Sequence, residues 1–167
     1  MSRDTPAVLL ARIDALEARL QESEDREAIR ELFNRYNFAA DTGNAQAFAE
    51  TYAQDGVFST GRGEVAGQAA FLQMIEDPDG VHKTQIEAKG SLHTIGSLTI
   101  RIDGDRAWAE GASVVWIRED KAFRAYVAAY NHWDLKKTDG RWAVTRREAR
   151  TVSPGKAKEV LRSYVNA

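Results

Sequence analysis

Apolar side chains recur every three or four residues through the first part of the chain, which predicts helices before any strand. Within residues 1–24 this pattern covers about two heptads, which is too few for a free-standing coiled coil. These residues are therefore expected to form a helical arm that packs on its own domain or on a neighbour. The polar run at residues 22–27 is predicted to break this helix, with Ser23 or Asp25 capping the next one. The apolar positions of the arm are Leu9, Ile13, Leu16 and Leu20.

The helical pattern resumes after the polar run and gives way to short elements beyond residue 43. Gly43 can adopt the left-handed conformation that closes a helix. Asn44 can cap a third helix, which would carry Phe48 and Tyr52 four residues apart on one face. Further short elements are predicted as a strand at residues 57–60, a hairpin loop at 61–63 and a helix at 69–75.

From about residue 88 the pattern changes to long strand-like runs separated by tight turns. Helices followed by a long antiparallel sheet are typical of an α+β fold, in which one layer of helices covers one face of a strongly bent sheet. The chain is therefore predicted to hold one α+β domain at residues 25–153, followed by a tail at 154–167 that forms a short closing helix. The four predicted strands span residues 92–102, 106–118, 122–137 and 142–152.

Composition narrows the class of protein. The chain has 167 residues, of which 43% are hydrophobic and 29% charged, and this suits one globular domain. Its 23 basic and 25 acidic residues give no broad basic field, so nucleic acid is not an expected partner. No apolar run is long enough for a membrane helix or a signal peptide, which predicts a cytoplasmic protein without a membrane partner.

Metal and thiol chemistry are not expected from this composition. The chain has no cysteine and three histidines, His82, His93 and His132. No two of these histidines have the i, i+4 spacing of a helical metal pair. Neither a bound metal nor another cofactor is therefore predicted.

Asp41 is the first candidate for chemistry, because it lies in the last turn of a predicted helix. The helix dipole disfavours a carboxylate there by about 0.3 to 1 kcal/mol, so Asp41 either simply begins a turn or has a partner. Asn37 lies four residues earlier on the same face, whereas Tyr36 is about 140° around an ideal helix. Tyr36 and Asp41 can share a pocket only if that pocket wraps the helix end.

His93 is the second candidate, and it lies inside the strand-like run that includes Ile95 on the same face. A lone histidine in a strand is either a structural group with satisfied hydrogen bonds or, beside a buried carboxylate, a catalytic base. If Asp41 is that carboxylate, one of its oxygens should lie within hydrogen-bond distance of a ring nitrogen of His93.

The last two predicted strands hold the remaining candidates. Regular alternation places Arg147 on the face opposite Val144 and Arg146, so one of the two adjacent arginines faces inward unless a bulge intervenes. On the preceding strand the alternation places three polar aromatic side chains on one face, and the opposite face holds Val127, Asn131 and Trp133. Either face could line a cavity or fill a core. The three polar aromatic side chains are Tyr126, Tyr130 and His132.

At these residues the sequence resembles the SnoaL-like family of the nuclear-transport-factor-2-like (NTF2-like) superfamily, whose members are cone-shaped α+β proteins with a cystatin-like fold around an apolar pocket. The likeness runs from about residue 26 to residue 150. It includes residues 27–32 followed by Tyr36 and Asp41. The other matching segments are residues 52–58 (Tyr-Ala-Gln-Asp-Gly-Val-Phe), 92–96 (Leu-His-Thr-Ile-Gly) and 139–142 (Asp-Gly-Arg-Trp) leading to Arg147.

Within that family the sequence is most similar to cofactor-free lyases such as scytalone dehydratase, bile-acid 7α-dehydratase and hexachlorocyclohexane dehydrochlorinase. The resemblance implies that His93 removes a substrate proton, that Asp41 supports His93, and that Tyr36 and Arg147 assist. Substrate contacts are expected from a second set of residues. That set is Tyr130, His132, Asn37 and Tyr126.

Departures from these lyases leave the substrate open. Tyr36 replaces the lysine of the dehydrochlorinase, and the strand at 106–118 lacks the further histidine or aspartate of the dehydratases. Three function classes remain: a lyase or isomerase that acts on a small hydrophobic carbonyl or cyclic compound, a small-molecule-binding protein, and a non-catalytic assembly subunit. An exposed apolar sheet face, together with the arm, predicts a homo-oligomer, either a dimer or a trimer. The residues expected on that face are Val114, Trp116, Val127 and Trp133.

Overall fold

The structure, a computed structural model, describes residues 5–165 and combines five helices in that range with one six-stranded sheet. Residues 1–4 of the predicted arm and 166–167 of the predicted tail lie outside the described residues. The helices are α1 (Pro6–Thr42), α2 (Ala45–Ala49), α3 (Gln68–Glu76), α4 (Lys156–Val160) and α5 (Arg162–Val165), and a π-helical turn spans His82–Glu87. The strands are β1 (Tyr52–Thr60), β2 (Gly63–Ala66), β3 (Ser91–Asp103), β4 (Arg106–Glu119), β5 (Ala122–Thr138) and β6 (Arg141–Thr151).

Helix α1 runs without interruption through the polar segment at residues 22–27, so the predicted break was wrong. Asp25 does not cap a helix there. Its side chain is buried against the sheet, where the Lys137 ammonium and the Trp142 indole N–H donate to it at 2.6 and 2.8 Å. Burial alone would raise the pKa of Asp25, but these hydrogen bonds outweigh burial and lower it. Gly43 ends the helix in the left-handed conformation, as predicted.

The sheet is curved and unclosed, with strand order β2-β1-β6-β5-β4-β3. Every neighbouring pair is antiparallel except β1 and β6, which run parallel. Each of the four long strands begins and ends within one residue of its predicted limits. The fold is therefore the α+β cone expected from the sequence, with helices α1, α2 and α3 packed on the inner face of the sheet. No helix within residues 5–165 is long and apolar enough to cross a membrane.

The core lies between the C-terminal half of α1, the two short helices α2 and α3, and the inner face of the sheet. Phe33 of α1 packs on Trp133 of β5 with ring centroids 4.9 Å apart, so Trp133 belongs to the core and not to the exposed face predicted for it. Tyr52 was predicted on a helix beside Phe48, but it begins β1. Its ring stacks on Phe71 of α3, with centroids 4.2 Å apart.

Two bulges shift the side-chain alternation that the sequence predicted. In β6 the pairing skips Thr145, so Val144 and Arg147 both face inward, three residues apart. Arg146 faces outward, where it forms an ion pair with Glu64 at 2.6 Å. In β5 the pairing with β4 skips Tyr126 in the same way. The prediction that Val144 and Arg147 lie on opposite faces was therefore wrong, because the bulge in β6 places both on the inner face.

Candidate active site

The structure brings Asp41 and His93 into direct contact at the end of helix α1. The His93 Nδ1 atom lies 2.6 Å from an Asp41 carboxylate oxygen, and the two side chains are 14% and 13% exposed. Strand β3 begins at Ser91, whose hydroxyl donates to the same carboxylate at 2.7 Å. The backbone N–H of His93 donates to the other carboxylate oxygen at 2.9 Å. The contact predicted from the sequence is therefore present.

These hydrogen bonds determine which ring nitrogen of His93 carries the proton. Burial would raise the pKa of Asp41, but the donors from His93 and Ser91 outweigh burial and lower it, so the carboxylate is ionised. An ionised carboxylate only accepts hydrogen bonds, so His93 must donate from Nδ1. In the neutral imidazole, the Nε2 atom then holds the lone pair. That nitrogen makes no hydrogen bond to residues 5–165, and His93 lines the main cavity.

Arg147 is buried on the inner face of the sheet, where its guanidinium is fixed by neutral groups. Its Nε and Nη2 atoms donate to the Asn131 amide oxygen at 3.0 and 2.7 Å, and Nη1 donates to the Tyr36 hydroxyl. The guanidinium also lies over the Phe58 ring, 4.5 Å from its centroid. Three of its five N–H groups are used in this way, and the Tyr52 hydroxyl also interacts with the guanidinium, so at most two N–H groups remain for a ligand.

Tyr36 connects the arginine to the dyad. Its ring meets the His93 ring edge-on, with centroids 6.5 Å apart, although Tyr36 and Asp41 lie on different sides of the helix. Tyr36 and His93 both line the cavity, whereas Asp41 lies behind the His93 ring and does not line it. Because the Tyr36 oxygen accepts from Arg147, its O–H remains able to donate to a ligand.

The sequence analysis missed three polar residues that lie in or behind the site. Asn131 is fully buried and orients Arg147. Tyr52 has a buried hydroxyl without a hydrogen-bond partner, and burial raises its pKa. His82 lines the cavity and contacts the carbonyl of Ala40, the residue before Asp41, through Nε2 at 2.8 Å. The sequence held a signal only for Asn131, because strand alternation places it on the same face as Trp133.

His82 acts as a cap for the end of helix α1. Because the Ala40 carbonyl can only accept, His82 must donate from Nε2, and its Nδ1 atom is left without a partner. Burial lowers the pKa of His82, so the ring is neutral at neutral pH. The π-helical turn at His82–Glu87, which the sequence did not predict, carries this histidine to the helix end.

We expect His82→Leu to loosen the dyad, whereas His82→Gln should retain it. Leucine removes the imidazole donor and leaves the Ala40 carbonyl with only a long hydrogen bond from the Gly43 N–H, at 3.4 Å, which costs about 1 kcal/mol and loosens the turn that carries Asp41. The glutamine amide can reach the same carbonyl. The test is proton NMR of the hydrogen-bonded Nδ1 proton of His93, alongside urea unfolding. A resonance that persists unchanged in a folded His82→Leu variant would show that His82 has no positioning role.

A cavity with a volume of about 1120 Å³ opens beside the dyad. Such a volume accommodates a drug-sized ligand. His93, Tyr36 and Arg147 line it, as do Asn37 and Tyr126 from the predicted substrate-contact set. The wall is otherwise mainly apolar. No group of three or more histidine, aspartate and glutamate side chains within residues 5–165 is placed to hold a metal ion.

Tyr130 and His132, the other predicted substrate contacts, are not among the cavity-lining residues. His132 lies on the outer face of β5, where Nδ1 is 3.0 Å from a Glu110 oxygen and Nε2 is 3.2 Å from an Asp134 oxygen. Hydrogen bonding to Asp134 raises the pKa of His132. Glu110 also accepts from the backbone N–H of Ser163 in α5. His132 therefore anchors the C-terminal helices instead of facing a substrate.

The curved, mostly antiparallel sheet, covered by N-terminal helices around a cavity, places the protein in the class of NTF2-like proteins with a cystatin-like fold. Within this class, the chain belongs to the SnoaL-like domain family, whose sequence model matches residues 21–148. No curated protein sequence matches the chain significantly.

Solved structures agree with this assignment. An NTF2-like protein with a cystatin-like fold from Novosphingobium aromaticivorans is 31% identical, with a TM-score of 0.76 over 95% of this chain and 97% of that one. A Mycobacterium tuberculosis protein of unknown function is 21% identical, with a TM-score of 0.71 over 84% and 79%. A candidate scytalone dehydratase of N. aromaticivorans is 20% identical, with a TM-score of 0.63 over 79% and 87%. The last two likenesses show the fold alone.

Proposed function

We propose that the protein is a cofactor-free lyase of the dehydratase type, or an isomerase, which acts on a small hydrophobic carbonyl or cyclic compound. One observation carries the proposal. The His93 Nε2 atom has no hydrogen-bond partner among residues 5–165, while Asp41 holds the opposite side of the ring in the required tautomer. The cavity beside this nitrogen has a mainly apolar wall, which suits a hydrophobic substrate.

The proposed reaction begins when His93 Nε2 takes a proton from the carbon next to the substrate carbonyl. The C–H electron pair moves into the carbonyl to form an enolate, and Asp41 stabilises the resulting imidazolium. The Tyr36 O–H and the spare N–H groups of Arg147 donate to the enolate oxygen. In an elimination the enolate expels a hydroxyl group, which leaves as water with the proton returned by His93. In an isomerisation His93 returns that proton to another carbon.

The test is solvent deuterium exchange, because every version of this reaction begins with the same proton abstraction. A panel of β-hydroxy ketones and β,γ-unsaturated cyclic ketones is incubated with the protein in D₂O and followed by NMR and mass spectrometry. We expect loss of water, migration of the double bond or, where the proton on His93 exchanges with solvent before it is returned, deuterium next to the carbonyl, for the wild type in the presence of a chelator. His93→Gln should show none. Tight binding of a panel member without exchange or turnover would instead favour the small-molecule-binding alternative.

A homo-oligomer is also part of the proposal, and exposed apolar side chains support it. Leu16 and Leu20 on the arm are each 59% exposed, and Phe123 on the sheet is 64% exposed. We expect light scattering at micromolar concentration to give the mass of a dimer or trimer. If the arm contributes, Leu16→Gln with Leu20→Gln lowers that mass, whereas the control Ala18→Gln, on the opposite side of α1, does not. A monomeric wild type would refute the prediction.

A further inference from the structure

The wall of the cavity contains basic side chains and no acidic one within residues 5–165. Four lysines and arginines line it, and Asp41 is not a lining residue. The whole chain has a formal net charge of −2, so this local excess of positive charge does not follow from composition. A cavity lined by one sign of charge, with low-dielectric walls, concentrates ligands of the opposite sign. The four basic residues are Arg62, Arg147, Arg150 and Lys156.

The deepest of these cations has no counter-ion. Arg147 is 7% exposed, and its hydrogen bonds within the described part of the chain go to Asn131 and Tyr36, neither of which is acidic. Because no acidic side chain among residues 5–165 compensates its charge, Arg147 creates a positive potential inside the cavity. Burying such an unpaired charge is costly. A ligand that enters beside Arg147 is therefore favoured if it carries, or develops, negative charge.

Two further arginines line the cavity at one end, which we call the mouth because Arg62 is exposed to solvent there. Arg62 is in the loop between β1 and β2, and Arg150 is near the end of β6. The Arg150 Cδ atom is 3.9 Å from the position of a Cβ on Gly61, directly beside Arg62. The side-chain hydrogen bonds of Arg150 that involve residues 5–165 go to the backbone carbonyls of Ser59 and Ala149.

Neighbouring acids are already engaged by other cations. Glu64 interacts electrostatically with Arg150, but it is bound to Arg146 at 2.6 Å. Lys156, the third cation of the mouth, is paired with Glu159 at 2.6 Å. The charge of Arg62 and Arg150 is therefore available to a ligand that occupies the cavity.

We infer that the natural ligand is an amphipathic anion, with a carboxylate or phosphate head bound by Arg62 and Arg150 at the mouth and an apolar body inside the cavity. This inference rests on the proposed function in one respect, which is that the apolar part of the ligand reaches His93. It adds a recognition site that the chemistry at Asp41 and His93 does not itself require. Guanidinium groups suit this role because they bind carboxylate and phosphate oxygens in bidentate fashion.

Calorimetric titration with three matched probes tests the inference. The probes are naphthalene-2-acetate, its uncharged amide and 2-naphthylmethyl phosphate. We expect the wild type to bind at least one anion about fivefold or more tightly than the amide, as charge-assisted hydrogen bonds require. Which anion is preferred identifies the head group. The double variant Arg62→Gln with Arg150→Gln should lose the preference and keep its affinity for the amide, which also shows that the cavity remains folded.

The control variant is Arg101→Gln with Arg106→Gln, which removes two exposed arginines of β3 and β4 that do not line the cavity. It should keep the preference, because it changes the net charge equally without altering the mouth. Equal binding of amide and anions by the wild type would overturn the inference, as would no measurable anion binding or a preference that survives in the mouth variant. His93→Gln should keep the preference, so failure of the proposed reaction remains distinguishable from failure of anion recognition.

Discussion

Replacement of His93 by alanine is expected to lower turnover by about 10²-fold or more on any compound that undergoes exchange, while the fold stays intact. A positioned general base contributes about 10² to 10⁴ to the rate, and about 10²-fold corresponds to about 2.7 kcal/mol in the barrier. His93 holds the only imidazole nitrogen in the described chain with a lone pair exposed to the cavity and a carboxylate behind the ring. The substitution leaves no other base at that place.

The variant Asp41→Asn keeps the proposed base, His93, and removes only the carboxylate that supports it. The asparagine keeps the shape of the side chain but can donate to His93, which stabilises the wrong tautomer. We expect a comparable loss of kcat with little change in KM, measured by steady-state kinetics with circular dichroism as the check on folding. Near-full rates in both His93→Ala and Asp41→Asn on the same substrate would make the pair structural and favour a binding protein.

The dyad was predictable because its two members lie where local sequence rules apply well. Asp41 precedes a glycine that ends a helix, and His93 lies in a long strand with regular alternation. Those rules also predicted the four long strands and the α+β class. Contact between residues 52 positions apart followed only from the family resemblance, since no local pattern encodes it.

Other parts of the site depend on tertiary contacts that leave no trace in a local pattern. The bulge at Thr145 decides which arginine faces inward, and nothing in residues 141–151 marks it. The polar run around Asp25 read as a solvent-exposed break because its two donors lie more than 100 residues away. His132 was predicted to contact substrate because no local pattern shows that helices from the C-terminal tail cover the outer face of β5.

Arg147 is the residue whose burial is hardest to explain by stability. Removing a guanidinium from water costs several kcal/mol, and no acidic side chain among residues 5–165 pairs with it. Its hydrogen bonds to Asn131 and Tyr36 return about 1.5 to 3 kcal/mol each at most, because they involve a charged donor. These opposing contributions are of similar size, so the arginine adds little net stability. This balance supports the proposed role of Arg147 in ligand binding.

Arg147→Met is therefore expected to lower turnover by about 10² to 10³-fold, the typical loss for one group that stabilises an oxyanion. The free energy of unfolding should change by no more than about 2 kcal/mol, because methionine fills the site and removes the cost of the buried charge together with the hydrogen bonds. Ile29→Ala is the matched control. Ile29 is fully buried in the same core, so its loss should cost about 2 to 5 kcal/mol in urea unfolding. A variant Arg147→Met that is as destabilised as Ile29→Ala but fully active would assign Arg147 to the structure and leave the enolate to Tyr36 alone.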